Sequence, residues 1–293
     1  MTTFANKSFS ALSYAVHRPT YPPALYSTVL AYHQGPRTQH LDLGTGPGLI
    51  PRMLAAHFTR SLGTDPSSVM IGQAQKLTPT AQFPHVSFRV GTAEDMSSIP
   101  DRDVDLVTAG QAAHWFDYAR AWPELARVVR PGGTLAFWGY KDHVFVNYPR
   151  ATRMVDEFCY GEGKGQMGSY WEPGRFIVRG KLRAVVPPEW EWVDVQRVEY
   201  EPGTKGKGTG VGTAFVTGKM TVGGSMEYLR TFSAFHEWEK AHPGRKKRRE
   251  GGEGDIVDEL YDEIKKVEGW TEDLELEIEW GSALLMARRR ETA

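Results

Sequence analysis

The sequence predicts an α/β fold built on a doubly wound, mostly parallel sheet. Three observations predict it: short apolar runs, stretches of helical periodicity between them, and a glycine-rich turn where the first run meets the first helix. The runs fall at 39–43, 60–65, 86–90, 104–109 and 134–138. Each is short enough for a strand buried on both faces. Between them, 47–58, 67–77 and 117–129 carry apolar residues three or four apart, the last with Pro131 and Gly132 as its expected stop. Strand and helix in alternation imply parallel pairing, because a parallel connection needs a crossover. At the end of the chain, 274–280 and 282–289 alternate apolar and charged residues on either side of Gly281. That pattern predicts an antiparallel hairpin on the sheet edge.

The 293 residues allow one large or two small domains, and 40% hydrophobic with 24% charged residues is a globular composition. Lys and Arg total 35 against 36 Asp and Glu, a net charge of -1. Such a balance gives no overall attraction to phosphate backbones or anionic lipid, so neither nucleic acid nor membrane is expected as a partner. With Cys159 as the lone cysteine, no intrachain disulfide and no cysteine-cluster metal site can form, and no metal is expected. The opening segment lacks the apolar stretch of a signal peptide and no run approaches the ~20 apolar residues of a membrane span, so the expected location is cytoplasmic. No internal repeat is evident.

Between about 140 and 270 the alternation stops. Helix candidates at 151–160, 225–240 and 255–267 and a strand candidate at 193–200 are separated by the glycine-rich tracts 161–168 and 203–219. The expected organisation is an N-terminal lid over 1–32, a core of 33–140 with 270–293, and a cap of 141–269 inserted before the last hairpin. The basic run 245–249 is followed at once by acidic residues and reads as a solvated loop.

The strongest chemical signal is His40 to Gly48, HLDLGTGPG, at the junction of the first strand and first helix. Gly44 and Gly46 allow a tight turn and close approach of a ligand, and Gly48 makes room at a helix start whose free amides favour an anion. Twenty-three residues beyond Asp42, Asp65 ends the second strand, where a carboxylate can accept both hydroxyls of a ribose. Ala93-Glu94-Asp95 follows the third strand, within reach of an adenine amino group. A dinucleotide dehydrogenase would use the same strand ends, but its fingerprint is G-x-G-x-x-G; here the spacing is G-x-G-x-G with Asp42 two residues ahead.

That spacing resembles motif I of the class I S-adenosylmethionine-dependent methyltransferases. The resemblance continues through Asp65, Ala93-Glu94, Gln111 and Arg130-Pro131-Gly132-Gly133. It implies a seven-stranded, Rossmann-like methyltransferase sheet, S-adenosylmethionine as cofactor, and an Asp42 carboxylate reading the amino group of the methionine part. It also implies cofactor contacts from Gly44, Thr45, Gly46, Gly48, Asp65, Met70, Ala93, Glu94 and Gln111. A narrower resemblance, to the fungal trans-aconitate methyltransferase group, is carried by Tyr14, Arg18-Pro19-Thr20-Tyr21-Pro22, His114-Trp115-Phe116-Asp117, Tyr170 to Arg175 and Tyr228 to Ser233. It implies that Tyr14 and Arg18 close over the carboxylate end of the cofactor. The tract 203–218 departs from that group.

The resemblance implies a small-molecule acceptor, a carboxylic acid foremost. Such an acid is already ionised at neutral pH and needs no general base. Its remaining carboxylates would need cations, for which Arg230, Arg175 and Lys141 are candidates by type. Trp115, Tyr140 and Trp171 are candidate walls, and His114 is the candidate base should the acceptor be a phenol or enol. Two other readings stay open: methylation of a secondary-metabolite hydroxyl or carbon, and a non-catalytic cofactor-binding interaction protein. The oligomeric state is not legible.

Overall fold

The computed structural model describes residues 18–291. In chain order it places α1 (Pro23–Tyr32), β1 (Gln39–Leu43), α2 (Leu49–Leu54), β2 (Arg60–Asp65), α3 (Ser68–Leu77), β3 (Val86–Val90), β4 (Val104–Gly110), α4 (Tyr118–Val128) and β5 (Val129–Phe145). Then come α5 (Pro149–Tyr160), α6 (Gly174–Arg179), β6 (Trp192–Glu201), β7 (Val211–Gly212), β8 (Thr217–Thr221), α7 (Val222–Arg230), α8 (Ser233–Ala241), α9 (Ile256–Glu268) and β9 (Glu275–Arg289). The strands form one nine-stranded sheet in the order β3-β2-β1-β4-β5-β9-β6-β7, with β8 also on β9. Pairing is parallel from β3 through to β5 and antiparallel beyond. The chain reverses direction of travel across the sheet between β1 and β4, the place where a crevice opens at the strands' carboxyl ends.

The interior explains the pattern. Every residue of β1 is buried, as are the first six of β4, so apolar side chains are required on both faces. One face packs a cluster from Leu25 and Val29 of α1 through Ile50 and Trp138 to Val155, Tyr228, Ile264 and Trp280; the other packs Leu41, Val107, Leu125, Phe137, Val178 and Trp192. Polar side chains at 0% exposure break that rule at His40 and Asp42 of β1 and at Asp105 and Thr108 of β4. In register, His40 lies opposite Ser61 of β2 and Asp42 opposite Thr108 of β4.

Several elements differ from expectation. Antiparallel strands do close the sheet, but Gly281 makes no turn: β9 runs through it unbroken. Its partner β5 carries an irregularity there, with Tyr140 paired to Ser282 and His143 to Trp280, so Lys141 and Asp142 face Gly281 alone. A side chain at 281 would collide with that of Lys141, which is why glycine stands in mid-strand. α4 ends at Val128 without help from Pro131 and Gly132, which lie inside β5. The helix expected over 225–240 is two, α7 and α8, divided at Thr231 and Phe232. Residues 141–269 also contribute strands: β6, β7 and β8 extend the sheet, and with β9 in place of the two hairpin strands they give nine strands where seven were expected. Their helices share a hydrophobic cluster with α1 and β5. Among the described residues no helix is long and apolar enough to cross a membrane.

Candidate active site

A cavity of about 590 Å³ opens at the carboxyl ends of β1, β2 and β4. Of the residues singled out in the sequence, Arg18, Gly44, Thr45, Gly46, Asp65, Met70, Ala93, Glu94, Gln111, Trp115 and Tyr140 line it. Asp42, Gly48, His114, Trp171, Arg175 and Arg230 do not, and Tyr14 lies outside the described residues. Tyr21, Arg52 and Phe116 also line the cavity. Tyr21 and Phe116 belong to the segments that carry the narrower resemblance, whereas Arg52 belongs to none.

The floor is the glycine turn. Gly44 has φ +64, and a Cβ there would collide with that of Ala112, so only glycine lets β1 leave the sheet beside the end of β4. Gly48, at φ +79, is the residue before α2, where a Cβ would stand 2.6 Å from the Phe88 ring. It is not among the residues that line the cavity, and the absence of a side chain there lets the turn sit on β3. Asp65 braces the same turn, accepting from Gly46 N–H and from Ser67 N–H, each at 2.9 Å. Burial pushes the Asp65 carboxyl above the usual carboxylate range, and those two amide bonds hold it down.

Behind the turn, Asp42 accepts a 2.6 Å hydrogen bond on Oδ1 from the Thr108 hydroxyl, while Oδ2 has no hydrogen-bond partner among the described residues. Burial pushes this carboxyl up to about 7, against the Thr108 and Thr45 hydroxyls that lower it. A wholly buried carboxylate with one free oxygen is costly in isolation and fits a site completed by a cationic or hydrogen-donating ligand group. The fit to S-adenosylmethionine therefore rests on this chain's own atoms: a strained glycine cradle, one acid at the second strand end, and one orphaned buried carboxylate oxygen at the first.

The remaining walls are partly committed. Gln111 has a left-handed backbone, φ +54, and its amide clamps β5, donating to Tyr140 C=O at 2.9 Å and accepting from Tyr140 N–H at 2.8 Å. It shapes the wall with its side chain already engaged. Glu94 accepts from Asp117 N–H at 2.8 Å, fixing the approach to α4. Arg18 donates to Thr231 C=O at 3.1 Å and lies 5.2 and 5.1 Å from the Tyr228 and Phe232 ring centroids. It joins the N-terminal segment to the region around α7.

The cations expected to meet an acceptor are placed differently. Arg230 is 5% exposed and bound within a cage: its Nε and Nη2 take Asp255, Nη2 also takes Asp258 and Nη1 takes Glu227, all within 2.9 Å. It ties α7 to the start of α9, because a buried guanidinium must be matched by carboxylates. Arg175 pairs with Asp142 and donates to Tyr160 Oη, packed over Trp171 and Phe232. Trp171 donates to Cys159 C=O at 2.6 Å and stacks on Tyr160, and Lys141 pairs with Glu201 at 2.6 Å. His114 is buried against Trp115 with Nδ1 unpartnered among the described residues, and burial, with Arg175 and Arg18, lowers it to about 3.

Asp42 is reached by Thr108 of β4 and, through it, by His40 of β1. Thr108 belongs to no motif and His40 only opens the glycine-turn segment, yet a histidine and an aspartate alternating with leucines in a central strand are a usable signal.

Residues 41–137 match the model of the methyltransferase domain family. Over 99% of both chains, the protein is 29% identical to CRG1 of Saccharomyces cerevisiae, named as a probable S-adenosylmethionine-dependent methyltransferase. It is 28% identical to the methyltransferase cfoB of Aspergillus candidus over 64% of this chain and 63% of that one. Among solved structures, a proposed type II methyltransferase from Anaeromyxobacter dehalogenans superposes with TM-score 0.68 at 26% identity, covering 94% of this chain and 99% of that one. Fold, domain match and relatives agree: the chain is a class I S-adenosylmethionine-dependent methyltransferase.

Proposed function

We propose that this S-adenosylmethionine-dependent methyltransferase methylates an oxygen of a small carboxylic acid, with a trans-aconitate-like polyacid as the model acceptor. The observation that carries this reading is the placement of His114, which packs against Trp115 and is not among the residues that line the cavity. Burial beside two guanidinium groups holds it neutral and only weakly basic, at about 3. A phenol or enol acceptor needs a base poised near the working pH, which His114 is not, whereas a carboxylic acid with a reference value near ~4 is ionised already.

In this reading Asp65 accepts the ribose hydroxyls, Ala93 and Glu94 meet the adenine, Asp42 Oδ2 meets the amino group, and Arg18 with Tyr14 closes on the carboxylate end. Bound, the cofactor supplies an electrophilic sulfonium methyl. The chain's own residues orient and enclose. Tyr21, Trp115, Phe116 and Tyr140 form an aromatic wall that excludes water, and the Arg18 cation at its edge attracts an anionic acceptor. Attack by a carboxylate oxygen cancels the negative charge of the acceptor against the positive charge of the sulfonium, so a dry, low-dielectric wall favours the transition state over the separated charges.

Incubation with methyl-labelled cofactor and a panel of di- and tricarboxylic acids, phenols and enols tests the proposal. Label recovered in base-labile esters of the acids is the expected outcome; label in ethers or on carbon overturns it.

A further inference from the structure

Four polar side chains form a continuous buried chain across the centre of the sheet. Ser61 Oγ of β2 lies 2.7 Å from His40 Nδ1, His40 Nε2 lies 2.8 Å from Thr108 Oγ1, and Thr108 donates to Asp42 Oδ1 at 2.6 Å. None of the four exceeds 1% exposure. The chain spans three strands at the point where the sheet changes direction, directly behind the glycine turn.

Proton counting fixes its polarity. An ionised carboxylate only accepts, so the single Thr108 proton points to Asp42. Thr108 Oγ1 must then accept, and the only facing donor is His40 Nε2–H. Burial lowers His40 to about 3, so the ring is neutral and holds one proton. Its Nδ1 therefore accepts from the Ser61 hydroxyl. Every bond in the chain points toward Asp42, and it ends on Oδ1, leaving Oδ2 without a hydrogen-bond partner among the described residues, beside the Thr45 hydroxyl.

We propose that His40 is a positioning residue for cofactor binding: acting through Thr108, it occupies Asp42 Oδ1 and fixes the rotation of the carboxylate so that Oδ2 is presented to the ligand's ammonium group. The inference rests on the reading of Asp42 given above. The alternative is a merely structural histidine, and the arrangement speaks against it. An apolar residue would suit a core position packed 5.5 Å from Phe58, and it would need neither Ser61 nor Thr108 as partners. Buried hydrogen-bond chains of this kind strengthen one another in low dielectric. The groups facing the chain are Asp65 on β2, which raises Asp42; Tyr26 on α1, which feels the Asp42 charge; and His33, which lowers His40.

Calorimetric titration of the full chain from pH 5.5 to 8 with two ligands tests the proposal. S-Adenosylhomocysteine carries the amino acid part, and 5′-methylthioadenosine has the same nucleoside without it. Since the Asp42 carboxyl is raised to about 7, wild-type affinity for the homocysteine ligand rises with pH through that region while affinity for methylthioadenosine stays flat. His40→Leu is expected to weaken the homocysteine ligand by about tenfold, because Thr108 loses the donor that holds its own proton on Asp42, and to move the pH midpoint upward. Methylthioadenosine binding should not change, and His40→Gln, whose amide can still donate to Thr108, should recover most of the loss. Equal losses for both ligands, or no loss for either, overturn the proposal. Should His40→Leu not fold, Thr108→Val removes the terminal donor alone and gives the same reading. Asp42→Asn separates the layers. If it spares the homocysteine ligand, the reading of Asp42 falls; if it weakens that ligand while His40→Leu does not, only the positioning role falls.

Discussion

Asp42 and Arg230 are both buried and ionisable, yet the protein treats them in opposite ways. In the cap Arg230 meets three carboxylates and no guanidinium nitrogen is left over. At the cleft, Asp42 keeps one oxygen without a partner among the described residues, and the hydroxyls of Thr45 and Thr64 nearby are likewise unpartnered. Burying an unmatched polar group costs roughly 1 to 3 kcal/mol, more for a charge, so such groups persist where a ligand completes them. At Arg230 the charge is matched and serves the scaffold; at Asp42 one oxygen is left beside the cleft.

Substitutions can break or sharpen that contrast. The largest effect is expected at Arg230. Arg230→Ala strands three carboxylates and should lower unfolding stability by about 3 to 5 kcal/mol, read by denaturant melts, with S-adenosylhomocysteine affinity retained below the melting point. A stable variant whose acceptor KM rises sharply would reverse the assignment and return Arg230 to the substrate. Next comes Asp65→Ala. Its loss of charged acceptors should raise the cofactor dissociation constant about 30- to 100-fold by calorimetry. A part of that loss comes from releasing the Gly46 turn.

A paired glycine test is smaller and more discriminating. Gly44→Ala forces a Cβ onto Ala112 at φ +64, whereas Gly46→Ala meets nothing within 4 Å at φ +53. Both bear the left-handed backbone penalty of about 1 kcal/mol, but Gly44→Ala should lose more stability than Gly46→Ala. Gly46 lines the cavity, so its variant should lose affinity out of proportion to its melting temperature. Equal behaviour of the two would deny that the turn has a packing side and a ligand side.

The smallest effect is expected at His114. Held down to about 3, it is neutral throughout pH 5 to 8, so His114→Ala should slow turnover less than about tenfold and leave the pH–rate profile without a lost limb near 6.5. A vanished limb would make His114 a base and favour a phenol or enol acceptor.

What could be read in advance follows the same division. The strand ends of β1 and β2 were legible because local chemistry demands particular residues there. The turn at Gly44 needs a left-handed backbone, and the second strand end needs an acid, wherever the rest of the chain goes. Gly281 misled for the converse reason: its glycine answers a contact with Lys141 across the sheet, not a local turn, and nothing in the neighbouring residues records that. Arg230 was assigned by residue type to an open mouth, but the three carboxylates that claim it lie at 227, 255 and 258, and only packing of α7 against α9 brings the last two to it.

The sequence by itself determined the parallel half of the sheet, its glycine turn and the class of cofactor. Short-range periodicity and backbone sterics are properties of consecutive residues, and the spacing of the glycine turn carries the resemblance that implies the cofactor. Only the tertiary structure decided which charges are consumed and which are offered. Solvation of a buried ion depends on every group within a few ångströms, and the Ser61–His40–Thr108–Asp42 chain draws its members from three strands up to 68 residues apart in sequence.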